Sequence, residues 1–230
     1  MPLHKMTLRI GFGAAIINIV GGIVYLVILG IIIGTSTSMV DAGAPLLVAV
    51  STIMLIGPLG LIPLWVAIYL LTAEERKVYS LISLVFIVLF SATTSINRWV
   101  HLTVVRPALS VPAAPGLEWF TPYGPYSIMY AIELLAYGWF LGFALLALAF
   151  VFGGCKAGVE RGLFWACLLS GVLCLMGALS RLTDISVLLS VGLLGWAFGL
   201  GIINVLLAVW LFRLGKNVPR IIPKGGPTSA

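Results

Sequence analysis

The sequence predicts an all-α fold: an integral membrane bundle of six transmembrane helices with both termini on the cytoplasmic side. Three observations predict it. Of the 230 residues, 61% are hydrophobic and 9% charged, against about 25% charged in a soluble domain. Six apolar stretches follow one another, each long enough for a helical crossing, which takes roughly 20 residues. The lysines and arginines then gather on one side of the alternation, the distribution that orients membrane helices. The apolar runs are too long for strands and lack period-two alternation. In hydrocarbon only helices or closed barrels satisfy the backbone.

The first span covers about Arg9–Gly34. The second, about Ala44–Leu71, contains Pro45, Pro58 and Pro63. Each proline removes a backbone donor, so Gly57–Pro63 is expected to kink or locally unwind. The third span runs about Val78–Val105 and stops before Pro107. The fourth starts at Pro125, a favoured first helical position, and ends near Phe152. The fifth is about Gly162–Ser180 and the sixth about Ile185–Phe212. The connection between the last two is short enough for a tight helical hairpin. The connection from Pro107 to Gly124 is long, with Pro107, Pro112, Pro115 and Pro122 followed by aromatic side chains at Trp119, Phe120 and Tyr123. It is expected at the interface or as a lid over the bundle.

With the N-terminus inside, the inner basic set is Lys5, Arg9, Arg76, Lys77, Lys156, Arg161, Arg213, Lys216, Arg220 and Lys224. The outer set is Arg98, Arg106 and Arg181, and the two sets account for all 13 basic residues. An odd helix number would put the C-terminal cluster outside, so charge supports six spans as well as their direction. Residues 1–213 are thus one transmembrane domain, and 214–230 a flexible basic tail. The net charge of +6 lies beside apolar segments, where it meets anionic lipid rather than nucleic acid. The N-terminal apolar run is too long for a cleavable signal. Cys155, Cys167 and Cys174 form no C-x-x-C motif and read as free thiols. No internal repeat stands out.

An ionisable side chain in lipid is expensive and usually faces the protein interior or a cavity. Glu133 lies eight residues after Pro125, and Arg98 nine before Pro107. Both therefore lie roughly 12–13 Å from the outer ends of consecutive antiparallel helices. A buried Arg98–Glu133 pair follows. Thr94, Arg98 and His101 share a helical face, with Asn97 four residues before His101. Tyr126, Tyr130, Glu133 and Tyr137 share another. Together they suggest a mostly apolar outer-half pocket with a few fixed polar groups. The same residues also suit a bond between two helices and ordinary tyrosine packing.

Arg181 and Asp184 flank the last turn as possible lining of that pocket. Their signs equally suit the dipoles of the helices they end and begin, with Thr183 or Asp184 capping the sixth. Asn18 and Asn204 are matched at roughly 13 Å from the inner ends and suggest a bond closing the bundle. Gly30 with Gly34, and Gly195 with Gly199, have the spacing that lets helices approach. One usable histidine makes no case for haem or a metal site, and no cofactor is expected. No H-E-x-x-H, G-x-S-x-G or P-loop motif is present.

The layout, and stretches such as Leu134-Leu135-Ala136-Tyr137-Gly138-Trp139-Phe140, resemble the prokaryotic membrane proteins of domain of unknown function family 4386, over about residues 9–213. That resemblance implies a multi-span membrane domain and no activity. Three functions remain open. The first is a multi-pass cell-membrane protein that binds or passes a small apolar or amphipathic molecule, with membrane lipids as its surroundings. The second is an intramembrane enzyme on an isoprenoid- or lipid-like substrate, as in membrane terpene cyclases, with Glu133 as the catalytic acid/base. An intact pair with Arg98 counts against a resting proton donor there. The third is an accessory subunit with a membrane-protein partner.

Overall fold

The computed structural model describes residues 3–35, 44–108, 115–120, 126–154 and 157–217. Six helices are long and apolar enough to cross a membrane: α1 (His4–Ile32), α2 (Val48–Leu71), α3 (Glu74–Ala108), α4 (Ile128–Val151), α5 (Val159–Thr183) and α6 (Val187–Lys216). Among the described residues there is no strand. The chain is an all-α, polytopic membrane protein. α4 is the most enclosed helix and α1 the most exposed.

The start of α1 and the end of α6 lie at one end of the bundle. Phe12 on α1 and Phe212 on α6 have ring centroids 6.2 Å apart. Phe152 meets Trp210 edge-on at 5.3 Å. Arg76, in the first turn of α3, donates from Nη1 to the Val151 carbonyl at 2.9 Å. It thereby satisfies one of the carbonyls that a helix C-terminus leaves without a partner. Arg106 and Arg181 stand at the other, distal end, and Arg98 lies in the distal half of α3.

α2 is interrupted where its prolines fall. Gly57–Gly60 forms a 3₁₀ turn between two α-helical halves. Ser95 Oγ donates to the Leu55 carbonyl at 2.8 Å, and Asn18 Nδ2 to the Gly60 carbonyl at 2.9 Å. Ser91 Oγ donates to the Pro58 carbonyl at 2.7 Å. The broken helix is therefore held by donors from α1 and α3, the way proline is tolerated in lipid.

This corrects one expectation. Asn18 does not bond Asn204: its amide donates to the carbonyls of Ala14 and Gly60. The buried Asn204 Oδ1 has no hydrogen-bond partner among the described residues. The matched depth was right for packing α1 along α6, but helix rotation aims Asn18 at α2.

Several boundaries also differ. α3 does not stop before Pro107. His101–Val105 is a π turn in which the Arg106 N–H reaches the His101 carbonyl, and the helix continues to Ala108. The wider turn eases the clash a proline ring makes in an α-helix. α4 begins at Ile128, with Ser127 Oγ accepting from the Tyr130 N–H at 3.2 Å; Pro125 lies outside the described residues. The first helix starts at Leu3 and the last reaches Asn217, so residues 214–217 of the expected tail are helical. The remainder of that tail, Cys155, and Pro112, Pro122 and Tyr123 of the long connection lie outside the described residues.

The core is built from leucines, small residues and polar ties. Lipid gives helices little hydrophobic reason to associate, so close packing and hydrogen bonds carry more of the load. Ser83 Oγ accepts from Trp65 Nε1 at 2.7 Å and donates to the Ala144 carbonyl at 2.6 Å, joining α2, α3 and α4. α5 is gripped through glycines on both sides. A Cβ at Gly138 on α4 would collide with Ala178, and one at Gly195 on α6 would stand 2.8 Å from the Ser170 carbonyl oxygen. Gly199 packs against the Ser170 side chain, whereas Gly30 has open space around it among the described residues. The small-residue spacing thus marks a real contact on α6 and, among the described residues, none at Gly30. Cys167 and Cys174 are buried free thiols.

Candidate functional site

The polar residues of the distal half divide into two groups that lie on different sides of α4. The first group is interior. Arg98 Nη2 donates to Glu133 Oε1 in an ion pair, with the Arg98 side chain 5% and the Glu133 side chain 16% exposed. The pair expected from depth alone forms because consecutive antiparallel helices bring equal distances from their shared end together. One turn away, Asn97 Nδ2 donates to the Met129 carbonyl at 3.2 Å. His101 Nδ1 and Ser51 Oγ are 2.9 Å apart. Asn97 therefore bonds α4 and His101 bonds α2, and the Asn97–His101 pairing suggested by their spacing does not occur. Thr94 Oγ1 and Asn97 Oδ1 are buried with no hydrogen-bond partner among the described residues.

Tyr137 completes the interior group. Its ring meets Phe90 edge-on at 5.0 Å and Trp196 at 5.9 Å. It also packs, with Tyr25 of α1, against Ile32, Val50 and Met54. Tyr25 and Ser51 were not among the residues singled out from sequence. A lone serine or tyrosine in an apolar helix carries no local signal of its partner.

The second group lines an open groove of about 410 Å³ between α4 and α5. Tyr126, Tyr130 and Arg181 are its polar residues from the expected set. Leu134, Leu135, Trp139, Ala178 and Leu182 give it apolar walls. The Arg181 guanidinium carbon lies 4.9 Å from the Tyr130 ring centroid, a cation–π contact. Tyr126 precedes the helix and is exposed, 6.5 Å from the Trp119 ring.

The single pocket lined by all these residues is thus corrected. Thr94, Asn97, Arg98, His101, Glu133 and Tyr137 do not line the groove. Tyr126 lies outside the helix, so helical periodicity does not govern its direction. A π turn at Leu135–Phe140 then shifts the phase of Tyr137 relative to Glu133. The capping expectation is also corrected. Asp184 takes φ 55° at the C-terminal end of α5, and Thr183 Oγ1 donates back to the Leu179 carbonyl at 2.9 Å. α6 begins at Val187 with no side-chain cap. Asp184 turns the hairpin, where asparagine and aspartate tolerate the left-handed region.

The interior group can lock helices. It holds a committed ion pair, and its carboxylate is not presented to the groove. The groove can hold a molecule with an apolar body and a polar end. Among the described residues no group of three or more His, Cys, Asp or Glu side chains could hold a metal ion. No protein-family model, curated protein or solved structure matches the chain.

Proposed function

We propose that this is a multi-pass protein of the cell membrane, with both termini cytoplasmic, that binds or passes a small amphipathic molecule in the distal groove between α4 and α5. The observation that carries the reading is the groove's composition: apolar side chains along its length, with Arg181 and Tyr130 together near its end. Sites for small molecules are mostly apolar, with a few placed polar groups. The side assignment rests on the positive-inside rule, since Lys5 and Arg9 at the start of α1 and Arg213 and Lys216 at the end of α6 share one end of the bundle.

The enzymatic reading has less support. Glu133 is engaged by Arg98 and does not line the groove, and no other acid lines it among the described residues. Replacing Ala131, which lines the groove and is exposed, by Trp fills the space without touching the ion pair. Protein released from bilayer nanodiscs into a mass spectrometer is expected to retain an amphiphile that Ala131→Trp loses. Equal retention by both proteins contradicts the reading.

A further inference from the structure

We propose that the groove selects bilayer phospholipids with an anionic headgroup, Arg181 meeting the phosphate and one acyl chain lying along Leu134, Leu135 and Leu182. This inference rests on the reading that the groove holds an amphipathic molecule, and adds the charge of its head.

Charge is the first argument. Among the described residues no carboxylate is paired with Arg181, although Asp184 is only three residues away. Glu133, the other acid on this half of α4, is committed to Arg98. The C-terminal end of the α5 dipole offsets only part of a full positive charge, about half of one. A guanidinium stacked on a tyrosine still offers edge N–H donors, and their planar fork suits phosphate oxygens.

Depth is the second. α5 has 25 residues, or about 37 Å at the helical rise, which exceeds the roughly 30 Å of bilayer hydrocarbon. Arg181 stands two residues from its end, at the level where headgroups begin. From Tyr130 to Trp139 the groove descends about 13 Å along α4, close to the roughly 15 Å that one leaflet contributes. A lipid standing in its own leaflet thus places its phosphate at Arg181 and its chain beside Leu134 and Leu135. Ala131, Leu135 and Leu182 are all exposed, so the groove opens sideways to where such lipids are.

The test uses the full chain in nanodiscs of equal phosphatidylglycerol and phosphatidylcholine with matched chains, and counts retained lipid of each class. The native protein is expected to favour phosphatidylglycerol about fivefold, the scale of one arginine near an anionic surface. Arg181→Gln is expected to abolish the preference while lipid is still retained, and Arg181→Lys to keep part of it. Arg106→Gln removes a charge from the same end but outside the groove, and is expected to leave the preference intact. Equal retention of both lipids by the native protein, or an unchanged preference in Arg181→Gln, overturns the inference. So does displacement of phosphatidylglycerol by equimolar oleate, which would make the occupant a free fatty acid. If Ala131→Trp retains as much lipid as the native protein, the groove reading itself falls.

Discussion

Arg98 donates to Glu133 in the interior of the bundle, and this ion pair joins α3 to α4 without lining the groove. A charge buried with its partner contributes little net stability, but a partner removed leaves the survivor stranded. The consequences differ for single and double replacements.

Glu133→Gln and Arg98→Met are each expected to destabilise the protein by about 3 kcal/mol. The double variant should recover most of that loss. Denaturant unfolding in mixed micelles measures the cycle. Strictly additive losses would mean that the two side chains do not act as a pair.

The broken α2 leads to a second expectation. Asn18→Ala should cost about 0.6–1.5 kcal/mol, the scale of hydrogen bonds between membrane helices. Asn18→Asp removes the amide donor and should cost at least as much. The same unfolding measurement applied to both variants checks this. No loss in either would show that the Asn18 amide does not help hold the Gly60 carbonyl.

Close helix contacts give a third. Gly138→Ala sets a methyl against Ala178 and should cost about 1–3 kcal/mol through overpacking. Ala178→Gly in the same chain should relieve it. Gly30→Ala meets open space and should stay within about 0.5 kcal/mol of the native protein. Thermal midpoints in a single detergent rank the three variants against the native protein. A loss at Gly30 equal to that at Gly138 would contradict the packing described here.

Ser83 supports a fourth. It links the buried Trp65 indole to the Ala144 carbonyl. Ser83→Ala leaves both without that partner and should cost about 1–3 kcal/mol. In the same variant, Trp65→Phe should cost less than it does in the native protein, as a double-mutant cycle would show.

The six helices were legible in the sequence because hydropathy acts over whole segments and survives errors at their ends. The Arg98–Glu133 pair was legible because depth depends only on helical rise. Direction around each helix was not. Asn18 aims at Gly60 rather than Asn204, and His101 at Ser51 rather than Asn97, because rotation is set by packing against neighbours. The π turns at His101–Val105 and Leu135–Phe140 add phase shifts that no spacing rule anticipates. The expected pocket therefore separated into an interior cluster and a lateral groove. Its apolar walls, Leu134, Leu135 and Leu182, are indistinguishable in sequence from any residues facing lipid.

The groove's occupancy is tested most directly by photo-crosslinking with an amphiphile that carries a diazirine on its chain, in bilayers, followed by peptide mapping. Adducts are expected to concentrate on Leu134, Leu135, Trp139 and Leu182, and to fall when Ala131 is replaced by Trp. Adducts spread equally over lipid-facing residues of α1 such as Ile17 and Val20, and unchanged in Ala131→Trp, would contradict a binding groove between α4 and α5.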